Sequence, residues 1–211
     1  MWRRWRAACW ARIAGVAAVA CATATLETSM PDAATIAPAT TDWPAEIFAA
    51  LKAAEMRQVA YVPDAGHGKL IRLCHADASL RTVKLTTEEE GIALAAGAWL
   101  GGQRCALLMQ SSGVGNCINM LSLPANCRMP LLMLVTMRGD FGETNPWQIP
   151  MGQATPAVLR AMGVIVHDAE QPSQVGHIVA MAAQLAFDSQ AMVAVLLRQK
   201  LIGAKRFLAG N

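Results

Sequence analysis

Short apolar runs alternate with amphipathic stretches from Trp43 to Leu197. Runs of this length are typical of buried strands, and the stretches between them place apolar residues at helical spacing. The predicted strands are 58–62, 81–85, 105–110, 130–136, 164–167 and 191–197. The predicted helices start at Trp43 and then cover 69–74, 88–100, 114–123, 154–162 and 173–187. Strands that alternate with helices form parallel βαβ units, so we predict an α/β fold with a doubly wound, mostly parallel sheet and helices on both faces.

Four loops follow the carboxyl ends of predicted strands. They are 63–68, 86–90, 110–116 and 138–152. In doubly wound sheets ligands bind beyond the carboxyl ends of the strands. We therefore expect these four loops to converge on one rim and to form the site.

Three consecutive glutamates, Glu88, Glu89 and Glu90, open the predicted helix 88–100. Thr87 is a favourable N-cap residue, and Glu90 can complete a capping box with it. Acidic residues in a first turn also stabilise a helix through its macrodipole, by roughly a few tenths of a kcal/mol. Helix stabilisation alone is therefore one interpretation. Because the cap needs at most one carboxylate, the other interpretation is that this cluster contains a carboxylate with a chemical role in a functional site.

A family resemblance favours the second interpretation. The segment LTTEEEGIALAAGAWL, followed by LLMQSSGVGN, resembles the pyrimidine-binding domain of thiamine diphosphate enzymes. In particular it resembles the alpha subunit of sulfopyruvate decarboxylase and the phosphonopyruvate decarboxylases. The resemblance continues through VPDAG, MRGDFGETNPWQIPMG and AVLLRQ. It covers residues 43–207, which we predict to be one such domain, while residues 1–42 form an N-terminal extension and linker.

The resemblance implies a glutamate that hydrogen-bonds a ring nitrogen of the aminopyrimidine and so activates the cofactor. Register with the family pattern, in which this glutamate stands six and seven positions before an Ala-Ala pair, points to Glu89 as the catalytic and cofactor-binding residue, with Glu90 as second choice. If Thr86 capped the helix instead of Thr87, Glu89 would be the capping partner. The glycine-rich loop also lies beside the aminopyrimidine in the family, which implies cofactor-binding roles for Ser112, Gly113 and Asn116.

His67 is a second candidate catalytic residue, because its loop position between Gly66 and Gly68 lets it meet a substrate carboxylate or relay a proton. A surface histidine without a role is the alternative. Sulfopyruvate decarboxylases usually carry Ser and then Leu-Lys after Val-Pro-Asp, whereas this chain has AGHGK. We interpret Lys69 as a displaced counterpart of that lysine, and the identity of the substrate's second acidic group stays open. Arg138 and the segment 145–148 are further candidates for substrate or interface contacts.

The family's partner domain holds the diphosphate and magnesium with a Gly-Asp-Gly motif and a later Asn-Asn pair, and this chain has neither. We therefore expect no metal ligands here and a beta subunit that carries the diphosphate and Mg²⁺ site, with thiamine diphosphate shared across the interface. The predicted function is the alpha subunit of a decarboxylase acting on a small acidic 2-oxo acid similar to sulfopyruvate or phosphonopyruvate. The alternative is a non-catalytic regulatory or scaffolding subunit of such a complex.

Composition supports an assembled protein. Hydrophobic residues make up 54% of the chain and charged residues 16%, so we expect much of the surface to be buried against another chain. The net charge is only +3, and Arg3, Arg4, Arg6 and Arg12 precede any acidic residue. Without that segment the domain is near neutral, which excludes a nucleic-acid-binding footprint.

The cysteines and the N-terminus bear on localisation. The six cysteines include no CxxC pair, so we interpret them as buried small residues in a reducing compartment and predict a cytoplasmic protein. The first thirty residues resemble a secretory signal formally, but their apolar stretch is Ala-rich and interrupted by Arg12, too weak to span a membrane. We interpret Met30 as the true start, with a targeting segment as the alternative.

Overall fold

The computed structural model of the protein describes residues 41–203. Its strands are β1 (Met56–Tyr61), β2 (Arg81–Lys84), β3 (Arg104–Gln110), β4 (Leu131–Thr136), β5 (Ile165–Ala169) and β6 (Met192–Leu197). Its helices are α1 (Trp43–Ala53), α2 (Gly68–Ala76), α3 (Glu88–Leu100), α4 (Ser111–Cys117), α5 (Ser122–Cys127), α6 (Ile149–Ala161), α7 (Val175–Asp188) and α8 (Gln199–Ile202). Short 3₁₀ turns, Pro146–Gln148 and Pro172–Gln174, precede α6 and α7.

The strands form a six-stranded sheet in the order β2-β1-β3-β4-β6-β5, with parallel pairing throughout. Helices cover both faces, and the central strands are apolar on both sides. Leu108 of β3 packs in the core beneath α1, α2 and α7, whereas its neighbour Leu107 packs in the core beneath α3, α4 and α6. The predicted doubly wound α/β fold is confirmed.

The sheet changes its winding direction between β1 and β3. The chain passes from β1 to β2 on one side, and then returns to place β3 on the other side of β1. The helices that follow these two strands therefore diverge and leave a crevice at the carboxyl ends of β1 and β3. The predicted loops 63–68 and 110–116 start at this crevice.

Two segments differ from the sequence prediction. The predicted helix 114–123 is instead two short helices, α4 and α5, separated by a turn in which the Ser122 amide donates to the Asn119 carbonyl. Residues 111–116, predicted as a glycine-rich loop, belong to α4. Helix α6 begins at Ile149 rather than at 154, because Pro150 in its first turn favours a helix start.

Of the described cysteines, Cys74, Cys105 and Cys117 are buried free thiols, as predicted, whereas Cys127 is exposed. Within residues 41–203, no helix combines the length and the hydropathy that crossing a bilayer requires. The predictions about Met30, the N-terminal extension, Cys9 and Cys21 lie outside the described residues, as does the end of the predicted domain beyond residue 203.

Candidate active site

Buried polar side chains gather at the carboxyl edge of the sheet. This group consists of His67, Glu88, Ser111, Thr136, Arg138, Thr155 and Gln199. Hydrogen bonds link the loops that carry them: the Arg138 amide donates to Ser111 Oγ over 3.0 Å, and Thr136 Oγ1 donates to Asp64 Oδ2 over 2.5 Å. Together with the hydrogen bond between Asn116 and Glu88, these contacts bring the four predicted loops to one rim.

Glu88 is the first residue of α3, and its side chain points inward. The residue is only 8% exposed. Its Oε2 accepts a hydrogen bond of 2.9 Å from Asn116 Nδ2, which comes from α4. Its Oε1 makes no hydrogen bond to any residue in the described part of the chain, so this carboxyl group can accept one further partner.

Gly113 makes room for that carboxyl group. A Cβ atom built on Gly113 would lie 2.2 Å from Oε1, 2.3 Å from Cδ and 2.4 Å from Cγ of Glu88. Atoms without a bond between them cannot approach so closely, so a side chain at position 113 would displace Glu88. The structure thus places Gly113 and Asn116 together, around one buried carboxylate.

The sequence interpretation places the buried carboxyl on Glu89, whereas the structure buries Glu88 and exposes Glu89 and Glu90. Thr87 is the N-cap, as predicted, but its side chain makes no cap hydrogen bond. Glu90 Oε2 instead accepts from the Thr86 amide over 2.9 Å. Glu90 is therefore the glutamate used for the cap, and Glu88 is the one directed into the site.

Helical spacing contains the signal that favours Glu88. The positions three, four, seven and eight residues after Glu88 are all buried, whereas two of the four corresponding positions after Glu89, Ala93 and Gly97, are exposed. Glu88 therefore lies on the buried face of the helix and Glu89 at its border. The family register by itself overlooks this constraint.

Ser112 faces a different neighbour from the one expected. Its hydroxyl donates to Gln110 Oε1 over 2.8 Å, and Gln110 Nε2 donates to Asp64 Oδ1 over 3.1 Å. Ser112 therefore belongs to a hydrogen-bonded group centred on Asp64 rather than to the surroundings of Glu88.

Asp64 is the functional candidate that the sequence interpretation missed, although it lies in the quoted VPDAG segment. Its carboxylate accepts from Thr136, Gln110 and the Gly66 amide, which come from three neighbouring strand ends. Burial raises the pKa of Asp64, but the hydrogen bond from Thr136 and the proximity of His67 more than offset this and lower the pKa. Asp64 is therefore a carboxylate at neutral pH.

His67 is fully buried, not a surface histidine. Its Nδ1 lies 3.6 Å from Asp64 Oδ2, and neither ring nitrogen has a hydrogen-bond partner among residues 41–203. Burial lowers the pKa of His67 to about 4, although the charge of Asp64 opposes this. The imidazole is therefore neutral at pH 7. Lys69 faces outward, where its Nζ pairs with Asp42 over 2.6 Å.

The depressed pKa of His67 predicts acid sensitivity. The unfolded chain, with an ordinary histidine pKa of 6.5, binds more protons than the folded chain between pH 6.5 and about 4. The free energy of unfolding should therefore fall as the pH falls through this window, with a contribution from His67 of about 3 kcal/mol. Urea unfolding of His67→Gln at several pH values should give a flatter dependence. His177→Gln, at an exposed position, should keep the wild-type slope, and a wild-type slope for His67→Gln would contradict the prediction.

Arg138 is held by a two-point ion pair. Its Nε and Nη2 donate to the carboxylate of Glu143 over 2.5 and 2.6 Å, and both side chains are largely buried. The hydrogen bonds from Arg138 hold the pKa of Glu143 at about 2. A cavity of about 100 Å³ separates Arg138 from the Asp64 group. Its lining is Asp64, Ala65, Gly66, Thr136, Arg138, Ile202 and Gly203.

The loop after Arg138 carries exposed apolar side chains. Trp147 is 85% exposed and Phe141 is 53% exposed. The Asn145 side chain accepts from the Trp147 amide over 3.1 Å, so the tryptophan backbone is ordered while its ring faces outward. Large exposed aromatic groups beside a site are typical of an interface.

Comparisons with known proteins decide the family. The chain is 36% identical over 140 residues to sulfopyruvate decarboxylase subunit alpha of Methanococcus maripaludis, an alignment that covers 66% of this chain and 84% of the relative. It is 34% identical over 152 residues to the same subunit of Methanothermobacter thermautotrophicus, covering 72% of this chain and 92% of the relative. The chain belongs to the sulfopyruvate decarboxylase alpha-subunit family. The resemblance seen in the sequence is confirmed.

A more distant relative of this alpha-subunit family member is also named as a decarboxylase. The phosphonopyruvate decarboxylase of Streptomyces viridochromogenes is 38% identical over 117 residues, which is 54% of this chain and 30% of that protein. No family model matches the chain. A 2-oxoglutarate:ferredoxin oxidoreductase from Magnetococcus marinus superimposes with a TM-score of 0.62 at 16% identity, over 76% of this chain and 29% of that one. This likeness supports the fold.

Proposed function

We propose that this chain is the alpha subunit of a thiamine diphosphate-dependent decarboxylase of 2-oxo acids, and that Glu88 is the glutamate that activates the cofactor. The observation that carries the proposal is the buried Glu88 carboxylate, held by Asn116 against Gly113 at the carboxyl edge of the sheet. The relatives named as decarboxylases support the reaction class.

The residues around Glu88 fit an aminopyrimidine ring. Asn116 orients the carboxyl group through Oε2, and Oε1 is left for a hydrogen bond to a ring nitrogen. Gly113 lets a flat ligand approach the backbone of α4 closely. When bound, thiamine diphosphate supplies the electron sink that loss of carbon dioxide from a 2-oxo acid requires. The role of this chain is to exchange a proton between Glu88 Oε1 and the ring nitrogen at a largely buried position.

Asp64 and His67 are proposed to serve the substrate side of the same rim. A neutral imidazole can accept a proton at one nitrogen while it holds one at the other, and Asp64 would stabilise the imidazolium that results. Because His67 is fully buried, the loop 63–68 must move before the ring meets a substrate.

We further propose a partner subunit that carries the diphosphate and Mg²⁺ site, with the cofactor bound between the two chains in the cytoplasm. The relatives' name, subunit alpha, supports an assembly of unlike chains. The described chain leaves a surface that another chain can approach closely. This surface carries the exposed Trp147 and Phe141 beside the site, and the small exposed residues Ala93 and Gly97 of α3. The proposed substrate is a small acidic 2-oxo acid, such as sulfopyruvate or phosphonopyruvate.

Purification of the tagged chain from its native cells tests this proposal. Mass spectrometry identifies co-purifying chains, a fluorescence assay measures thiamine diphosphate, and carbon dioxide release from sulfopyruvate and phosphonopyruvate measures turnover. We expect a second chain that carries the Gly-Asp-Gly and Asn-Asn motifs, bound cofactor and activity on an acidic 2-oxo acid. A lone, cofactor-free chain would contradict the proposal and favour the non-catalytic alternative.

Trp147→Ala should weaken the proposed assembly without affecting the fold, because the ring is 85% exposed in the isolated chain. A buried interface tryptophan often contributes 2 kcal/mol or more, so we expect about 30-fold weaker association. Size-exclusion chromatography of the complex over a dilution series gives the measurement. Met181→Ala, on the opposite sheet face and 48% exposed, is the control and should leave association unchanged. Wild-type association of Trp147→Ala would place the interface elsewhere.

A further inference from the structure

Gln199 is a buried amide side chain whose hydrogen bonds all lead to one loop. It is the first residue of α8, two residues beyond the end of β6, and is 1% exposed. Its Oε1 accepts from the backbone amides of Asp140 and Phe141, each over 3.0 Å. Its Nε2 donates to Glu143 Oε2 over 2.9 Å. One side chain thus satisfies three polar groups of the loop that follows Arg138.

Glu143 connects the Gln199 side chain to Arg138 through hydrogen bonds. Besides the Gln199 amide and the two Arg138 donors, its carboxylate accepts from the Asn145 amide over 3.0 Å. Gln199, Glu143 and Arg138 therefore form a continuous hydrogen-bonded chain from the end of β6 to the wall of the Asp64 cavity.

The loop depends on these side chains because its backbone is irregular. Gly139 and Gly142 have positive φ angles of 77° and 65°, which interrupt any regular backbone ladder. The amides of Asp140 and Phe141 both use Gln199 as their acceptor. Removal of the amide would leave two part-buried donors and the buried Glu143 carboxylate without this partner, which costs more than the hydrogen bonds contribute.

We propose that Gln199 is a positioning residue of the active site. It holds the loop 138–143 in the shape that keeps Arg138 at the wall of the Asp64 cavity, and it acts through Glu143 rather than by contact with substrate. The kinetic part of this inference rests on the proposed decarboxylase function. The structural part, the shape of the loop, stands independently of that function.

The test compares Gln199→Ala with Gln174→Ala, which removes an exposed glutamine side chain that makes no cap hydrogen bond. Hydrogen–deuterium exchange of the full chain should show about tenfold faster exchange at the amides of Asp140 and Phe141 in Gln199→Ala alone. In the active complex the KM for the 2-oxo acid should rise about tenfold, with a smaller change in kcat. Gln174→Ala should match the wild type in both measurements.

Gln199→Glu separates the acceptor contact of the Gln199 side chain from its donor contact. It also replaces Gln199→Ala in the test if the alanine variant fails to fold. It keeps an acceptor for the two amides but places a carboxylate against Glu143. We therefore expect the amides to stay protected while the KM still rises. Unchanged exchange in a folded Gln199→Ala, or faster exchange with an unchanged KM, would overturn the inference. If even the wild-type complex lacks decarboxylase activity, the proposed function fails, and exchange at Asp140 and Phe141 still decides whether Gln199 holds the loop.

Discussion

Glu88→Gln is expected to lower the decarboxylase kcat by about 10²- to 10⁴-fold while the complex still assembles. Glutamine has the shape of glutamate and can still accept the hydrogen bond from Asn116 Nδ2. It cannot give up or take a proton at the position of Oε1, and cofactor activation requires that transfer. Steady-state turnover of the purified complex, together with its bound thiamine diphosphate content, is the measurement.

Glu89→Gln is the matched control, since it makes the same chemical change one residue along the same helix turn, at an exposed position. It should keep turnover close to that of the wild type. The reverse result, an active Glu88→Gln and an inactive Glu89→Gln, would return the role to Glu89 as the family register indicates. Full activity of both variants would favour the non-catalytic subunit.

Gly113→Ala should lower the activity because it displaces the Glu88 carboxyl group, without any change of charge. The new Cβ would lie 2.2 Å from Glu88 Oε1, so the carboxyl group or α4 must shift. Overpacking of this kind costs about 1–3 kcal/mol of stability. A displacement of about 1 Å at a reacting group costs roughly 10²-fold in rate, so we expect a loss of that order in kcat. Thermal unfolding and turnover of the same preparation measure the two effects.

Gly97→Ala, in helix α3, is the control for the unfolding measurement on the isolated chain only, because Gly97 lies on the surface proposed for the partner subunit. A Cβ atom at Gly97 would meet nothing within 4 Å in the described chain, and its φ is not positive. Alanine there should stabilise the isolated chain by about 0.5–1 kcal/mol, because it reduces the freedom of the unfolded state. Activity of Gly113→Ala equal to that of the wild type would show that Glu88 does not need its present position.

Much of the fold was predictable because the two signals that define it, helix-end residues and the spacing of apolar residues, depend on residues close together in the chain. Helix α3 has the predicted bounds, Glu88–Leu100, since Glu90 accepts from the Thr86 amide at its start and Gly101 follows its last residue. The central strands β3, β4 and β6 were found from continuous apolar runs, which parallel strands buried on both faces require. Parallel pairing then places the loops at one edge.

The prediction of residues 110–116 as a glycine-rich loop was wrong for a tertiary reason. Gly113 and Gly115 disfavour a helix in isolation, by about 1 kcal/mol each. Residues 111–117 are nevertheless helical, where Val114 and Cys117 pack in the core and Gly113 admits the Glu88 side chain. Packing against another element outweighs local preference here, and a local pattern does not contain that information.

The sequence by itself determined the fold class, the family and the edge of the sheet where the candidate site lies, and it predicted a role for a glutamate at the start of α3. Only the tertiary structure decided which glutamate is buried, why position 113 is glycine, and that His67 is enclosed beside Asp64. It also decided that Gln199, 61 residues beyond Arg138 in the chain, supports the Arg138 loop. The physical reason is that periodicity and capping act within a few residues. Burial, hydrogen-bond pairing and a depressed pKa arise between residues that the fold brings together from distant parts of the chain.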